Sequence, residues 1–138
     1  DLHIGLAQDP LANLHRGRAL MTVTPDATLA EAIQIMQDSN IGALLVVDTM
    51  RQPVGIFTER DVLFRVATQV EDLAAHSIEE FMTPNPDVLP ATVPVAHALH
   101  LMTINHYRHV PIVDEQGQAV SIISFRDVVS YIEQYFDQ

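Results

Sequence analysis

The chain has 138 residues, of which 48% are hydrophobic and 18% charged, and this composition is typical of a folded globular protein. The formal net charge is −11 and all seven cationic side chains are Arg, so the surface is unsuited to non-specific binding of nucleic acids or anionic membranes. The absence of Cys excludes disulfides and thiolate metal sites, and no apolar run approaches the roughly 20 residues that span a bilayer. We therefore expect a cytoplasmic protein without membrane insertion.

The sequence predicts a helix, a short strand and a second helix at the start of the chain. Asp9-Pro10 is a helix-start signal that predicts a lead-in helix over 11–18, and 21–23 can form a short strand. An amphipathic helix comes next, with Thr28 and Glu31 in a capping-box pattern. Its apolar side chains recur at i, i+3, i+4 and i+7, namely Leu29, Ala32, Ile33 and Met36.

A hairpin and a second helix complete this pattern. The apolar runs 43–47 and 53–57 are separated by a short acidic turn, which predicts two antiparallel strands. A final helix opens at Thr58. The leading strand and the first hairpin strand should pair in parallel through a right-handed helical crossover.

The same order recurs 66 residues later without a gap, over about 40 positions. Asp48 matches Asp114, and Arg60-Asp61 matches Arg126-Asp127. The second copy has a leading strand at 87–89, a helix near Pro94, strands at 109–113 and 118–123, and a final helix from Ser124. The apolar stripe of its first helix is formed by Val95, Ala98, Leu99 and Met102.

Pro111 lies inside a predicted strand of the second copy and marks that strand as edge-like or bulged. The link between the copies contains Ser77-Ile78-Glu79-Glu80, which predicts a capping box and a short helix.

The order β-α-β-β-α, present twice, predicts an α+β fold of two pseudo-symmetric repeats packed through their sheets. One repeat of about 45 residues is too small to bury much apolar surface by itself. We divide the chain into a lead-in segment with a short helix (1–19), a first repeat (20–70), a linker with a short helix (71–86) and a second repeat (87–138).

Two heptapeptides carry a family resemblance: Gly55-Ile56-Phe57-Thr58-Glu59-Arg60-Asp61 and Ser121-Ile122-Ile123-Ser124-Phe125-Arg126-Asp127. They resemble the signature of cystathionine β-synthase (CBS) domains, and Met82-Thr83-Pro84 is similar to the family's usual lead-in. The tandem arrangement resembles a Bateman module over about residues 16–136. The resemblance implies a regulatory module that binds an adenosine nucleotide (AMP, ADP or ATP) in the cleft between the repeats. It also implies homodimerisation and signalling to a fused or partner protein such as an enzyme or transporter.

The resemblance assigns the ribose hydroxyls of the ligand to Thr58 and Asp61 in the first repeat and to Ser124 and Asp127 in the second. The residues themselves indicate capping boxes, because a hydroxyl precedes each helix and an acid follows three positions later. The two interpretations are compatible, since a carboxylate has several acceptor sites. Ser121 stands where the first repeat has Gly55, and its side chain would narrow the second cleft if a ligand approaches that backbone closely.

Four cationic or titratable residues are phosphate candidates: Arg60, Arg126, Arg108 and His109. Arg60 and Arg126 lie in the first turn of a helix, where a cation opposes the helix dipole, so their recurrence favours a nearby anion. The alternative is an ion pair with Glu59 or Asp61, or a solvated side chain. Apolar residues near the predicted cleft are either walls of an adenine pocket or ordinary core residues, namely Val23, Ala43, Leu89 and Val110.

Catalytic and metal chemistry finds no support in the sequence. His97 and His100 share a helix face with His106 nearby, but they lie opposite the apolar stripe and indicate a solvated face rather than a metal site. No nucleophile elbow, phosphate-binding Gly loop or HExxH motif is present, so we expect no catalytic residues and no enzyme. The only cofactor that we expect is the regulatory nucleotide, bound with or without Mg²⁺.

The last helix carries a broad apolar stripe: Val128, Tyr131, Ile132, Tyr135 and Phe136. The excess at its C-terminal end, Tyr135 and Phe136, indicates contact with a second chain or a further domain, and of these we favour a homodimer. Burial against the chain's own sheet is the alternative explanation for this stripe. A different function is also open, namely a ligand-free dimerisation or interaction domain. A third hypothesis, a small hydrolase or metal-dependent enzyme, is supported by no residue of the sequence.

Overall fold

A computed structural model describes residues 2–14 and 19–134. Its contacts divide the chain into two compact units. One unit comprises residues 21–86 and contains the first repeat together with the linker. The other combines the N-terminal segment with the second repeat, from residue 87 onward.

The N-terminal segment begins with helix α1 (Leu2–Gln8), which the sequence pattern did not predict. A 3₁₀ helix follows over Leu11–Leu14, at the start of the predicted lead-in helix, whose remaining residues 15–18 lie outside the described part of the chain. Leu11 is buried in the core of the second repeat, and its amide donates to the carbonyl of Val93. The segment is therefore anchored to the second repeat by backbone and side chain.

The first repeat runs in chain order through β1 (Thr22–Val23), α2 (Leu29–Ser39), β2 (Ala43–Val47), β3 (Pro53–Thr58), α3 (Glu59–Asp61), a π-helical turn (Val62–Val66) and α4 (Ala67–Gln69). Two 3₁₀ turns (Leu73–Ala75 and Ile78–Glu80) and β4 (Thr83–Pro84) complete it. The sheet order is β1-β2-β3-β4, with β1 parallel to β2 as expected for a crossover connection. The predicted linker helix and its capping box are confirmed at Ser77 and Glu80, and β4 is an addition.

The second repeat contains β5 (Leu89–Pro90), α5 (Val95–Asn105), β6 (His109–Val113), β7 (Ala119–Ser124) and α6 (Phe125–Glu133). Its sheet order is β5-β6-β7, again with a parallel pair first and an antiparallel hairpin second. The leading strand was predicted at 87–89, and it starts two residues later and ends one residue later. The α+β class and the doubled β-α-β-β-α order are confirmed.

Each repeat has its own hydrophobic core beneath its helices. Phe57 is fully buried in the first core, with Leu29, Leu44 and Val46 around it. In the second core Ile123 takes the place of Phe57, and Val128 and Tyr131 of α6 pack there as well. These two residues of the predicted dimer stripe are thus buried within their own unit, while Tyr135 and Phe136 lie outside the described residues.

The hairpin of each repeat contains a β-bulge at the same place. The register shifts between Val46 and Val47 in the first repeat and between Ile112 and Val113 in the second. Of the two alternatives predicted for the strand of Pro111, edge-like or bulged, the edge-like one does not apply, because β6 lies in the middle of its sheet. The predicted bulge is present, but Pro111 does not cause it, since the first repeat bulges at the matching position without a proline.

Candidate functional site

The candidate site in each repeat lies where the second hairpin strand passes into the final helix. Thr58 and Ser124 are the N-caps, both with extended backbone, and each side chain accepts a hydrogen bond from the amide of the acid three residues later. In return Oδ2 of Asp61 accepts from the Thr58 amide at 2.9 Å, and Oδ2 of Asp127 accepts from the Ser124 amide at 2.8 Å. Both predicted capping boxes are therefore present with closely matching geometry.

The caps fix the position of the two carboxylates that the ribose prediction requires. Each cap uses Oδ2, and the Asp61 side chain remains 13% exposed. In the first repeat Oδ1 of Asp61 also accepts from Nη1 of Arg65 at 3.4 Å. Ribose binding at these four residues stays a prediction, now with preorganised acceptors.

We use the word corner for the residue before β2 or β6 together with the first turn of the helix that follows the hairpin. In the first corner the carbonyl of Gly42 accepts from the Glu59 amide at 3.0 Å, and in the second the carbonyl of Arg108 accepts from the Phe125 amide at 2.7 Å. The backbone of the two corners is thus alike, and the side chains differ.

The phosphate candidates take several positions around these corners. Arg60 lies with its guanidinium carbon 5.3 Å from the centre of the Phe64 ring, and Arg108 lies 5.9 Å from that of Phe125. Both contacts are cation–π interactions at the surface. The structure thus gives Arg60 an aromatic partner rather than the ion pair considered as the alternative. Arg126 is exposed.

The strand register places His109 and Ala43 directly beside the caps. His109 is the direct partner of Ser124 in the ladder, and Ala43 is the direct partner of Thr58. The other three adenine-pocket candidates lie in or against the cores. Val110 is fully buried in the second core, Leu89 packs against the same core, and Val23 packs against the first.

Gly55 has a structural role that the sequence did not reveal. A Cβ added at this position would lie 2.8 Å from Cγ of Met82 and even closer to its sulfur, so the Met82 side chain covers the Gly55 backbone. At the matching position of the second repeat, Ser121 has a buried Oγ without a hydrogen-bond partner among the described residues. Both positions face the helix-covered side of the sheet, because their ladder partners Val46 and Ile112 belong to the cores.

Arg65 is a residue of the first repeat that sequence analysis missed. Besides contacting Asp61, its Nη1 donates to the carbonyl of Phe81 at 2.7 Å, and its guanidinium lies 5.8 Å from the centre of that ring. The helical spacing of Asp61 and Arg65 was a readable signal for the ion pair. Nothing in the sequence indicated the contact between Arg65 and Phe81.

No group of three potential metal-ligating His, Asp or Glu side chains occurs within residues 2–14 and 19–134. His97 and His100 are exposed on α5, and His106 ends that helix in the left-handed conformation. None of the helices within those same ranges is long and apolar enough to cross a membrane.

The CBS domain model matches residues 17–68 and 78–134, which cover both repeats. The chain belongs to the CBS domain family. An uncharacterized 17.7 kDa protein of Acidianus ambivalens is 35% identical over 106 residues, which are 77% of this chain and 63% of that protein. The chain therefore spans less than two thirds of this relative.

Solved structures of other CBS proteins share the fold. A putative signal-transduction protein with CBS domains from Burkholderia ambifaria is 31% identical, with a TM-score of 0.80 and coverage of 89% of this chain and 93% of that one. A CBS domain protein from Pyrobaculum aerophilum, complexed with AMP, is 26% identical, with a TM-score of 0.78 and coverage of 86% and 88%.

Proposed function

We propose that this CBS domain pair is a regulatory module that binds an adenosine nucleotide and has no catalytic activity of its own. The observation that carries the proposal is the pair of carboxylates, Asp61 and Asp127, held in matching geometry by their caps. The AMP complex of the Pyrobaculum aerophilum relative supports the ligand class. A ribose diol donates two hydrogen bonds, and bonds to a charged acceptor contribute roughly 1.5–3 kcal/mol.

Phosphate binding belongs to the same proposal. Arg60 lies next to the first cap, and Arg108, His109 and Arg126 lie next to the second. Guanidinium groups suit phosphate because they donate two parallel hydrogen bonds. On a chain with a net charge of −11, an anionic ligand needs such a local excess of cations.

The nucleotide would regulate by binding one conformation of the module more tightly than another. A fused or partner enzyme or transporter would then respond to the shift in conformation. Under this proposal the nucleotide is a cytoplasmic signal, and Mg²⁺ accompanies it where the phosphate chain is long.

Isothermal titration calorimetry with AMP, ADP and ATP tests the nucleotide proposal. We expect the wild-type chain to bind at least one of them, and the double variant Asp61→Ala/Asp127→Ala to lose this binding. The control is Asp38→Ala, which removes an exposed carboxylate from α2 and should leave affinity unchanged. A folded wild-type chain that shows no heat with any of the three at millimolar concentration would contradict the proposal.

We also propose that the module forms a homodimer. Leu63 and Phe64 of the π-helical turn are each 64% exposed, and large exposed apolar side chains that adjoin on one helix favour an interface. Sedimentation velocity should show a dimer for the wild-type chain and a monomer for the Leu63→Gln/Phe64→Gln variant. A monomeric wild-type chain would rule this out, and a dimeric chain without nucleotide affinity would support a pure interaction domain.

A further inference from the structure

A short segment of the linker completes the first repeat, although it precedes the second repeat in the sequence. The amide of Ile78 donates to the carbonyl of Ala27 at 2.8 Å. The carbonyl of His76 accepts from the amide of Leu29 at 2.9 Å, where α2 begins. Ile78 itself is fully buried in the first core. The linker is thus held against the first helix of the repeat that it leaves.

The N-terminal segment does the same for the second repeat, although it precedes the first. The amide of Leu11 donates to the carbonyl of Val93 at 2.9 Å, and the carbonyl of Asp9 accepts from the amide of Val95 at 2.9 Å, where α5 begins. The partners within the repeats match at the repeat spacing, and Leu11 is buried as Ile78 is. We call residues 9–12 and 76–81 the brackets, because each connects the first and final helices of one repeat.

The final helix of each repeat holds its bracket at a matching position. Nη1 of Arg65 donates to the carbonyl of Phe81 at 2.7 Å, and the hydroxyl of Tyr131 donates to the carboxylate of Asp9. Each of these anchors lies one helical turn after the aspartate of its cap. In the first repeat Oδ1 of Asp61 accepts from Arg65 directly. The candidate ribose carboxylates and the brackets are therefore connected through a single turn of helix.

We infer that a nucleotide bound at the cap of one repeat stabilises the bracket of that repeat, with Arg65 and Tyr131 as the coupling residues. This inference rests on the proposed function and concerns the regulation of the same caps. A ligand that bonds the cap aspartate restrains the first turn of the final helix, so the anchor one turn later opens less often. Since each bracket leads along the chain into the opposite repeat, occupancy of one cap acts on the segment that enters the other repeat.

Hydrogen exchange with and without nucleotide, measured on the full chain, tests the coupling. The probe is AMP, or ADP or ATP if calorimetry shows one of these to bind instead. The amides of Leu11 and Ile78 are the readouts because they occupy matching places in the brackets. At the bracket of each occupied cap we expect exchange to slow by about 5-fold or more, the lower end of couplings between linked sites. Asp61→Ala should abolish any slowing at Ile78 alone, and Asp127→Ala at Leu11 alone.

The variant Tyr131→Phe separates coupling from binding. Its nucleotide affinity should stay within about 2-fold of wild type, because the hydroxyl bonds the bracket and lies a turn away from the cap. The ratio of exchange rates with and without nucleotide at Leu11 should nevertheless fall to that of an uncoupled site. Arg65→Gln is the corresponding test at Ile78. The control is Ser130→Ala, which removes a neighbouring exposed hydroxyl of α6 and should leave the slowing intact.

Nucleotide binding without slower exchange at either amide would overturn the inference. Slowing that persists in both Tyr131→Phe and Arg65→Gln would overturn it too, because the anchors would then carry no coupling. Both results leave the proposed function intact, since calorimetry would still show binding. A wild-type chain that binds none of the three nucleotides overturns the proposed function and the inference together.

Discussion

The final helices of the two repeats occupy matching places and hold different neighbours. In the first repeat Arg65 donates to the carbonyl of Phe81 and thereby fixes the segment that follows its own helix. In the second repeat Tyr131 donates to Asp9 and fixes the N-terminal segment, 122 residues away in the chain. An ungapped repeat has thus preserved the frame of the fold while each copy uses the same helix position to anchor a different piece of chain.

The cores differ in the same way at positions 55 and 121. The first repeat has Gly55, and the Met82 side chain fills the space above it. The second has Ser121, whose buried hydroxyl has no hydrogen-bond partner among the described residues. Matching backbone therefore does not imply identical packing.

The largest effect is expected from Gly55→Ala, which would give the first repeat a side chain where the second has one. The new methyl would overlap Met82, and overpacking of this kind costs about 1–3 kcal/mol. Urea unfolding should show this loss of stability. In a Met82→Ala background the same substitution should cost much less, and an equal cost in both backgrounds would show that Met82 is not the obstacle.

A gain in stability is expected from Ser121→Ala. A buried hydroxyl without a partner carries a desolvation cost of about 1–3 kcal/mol, and its removal without other change should recover part of this. Thermal unfolding without ligand would measure the gain. Ser124→Ala serves as the contrast, because it removes a helix cap and should cost about 1 kcal/mol. A clear loss of stability in Ser121→Ala would mean that an ordered water satisfies the hydroxyl.

The smallest effects are expected when each anchor is removed. Arg65→Gln and Tyr131→Phe should each cost about 1 kcal/mol, the former discounted because Arg65 is half-exposed. Hydrogen exchange separates them by location. The Met82 amide, bonded to the carbonyl of Ile78, should exchange faster only in Arg65→Gln, and the Leu11 amide only in Tyr131→Phe. Faster exchange at both amides in either variant would show that the two anchors are not independent.

Much of the fold was predictable because the repeat and its periodicities appear twice in the sequence. The caps at Thr58 and Ser124 followed from local spacing alone, and so did the Ser77–Glu80 box. In that box the hydrogen bond from the Ser77 amide, followed by the contact with His76, lowers the pKa of Glu80 below its ordinary value.

The parts that could not be predicted depend on contacts between distant residues or on small changes of helical period. The π-helical turn at Val62–Val66 has an apolar pattern that suits an α-helix equally well, and α6 is α-helical at the matching place. Strand β4 has only two residues and exists because β3 offers an edge for it. The leading strand of the second repeat shifted to include Pro90, whose sequence signal is that of a turn.

The matching β-bulges also shape the two hairpins. A bulge adds one residue to one strand, and in each repeat the extra residue lies in the second hairpin strand, at Val54 and at Val120. Because a bulged strand bends and twists more strongly, both hairpins change direction at the same place, a few residues before the cap that opens the final helix.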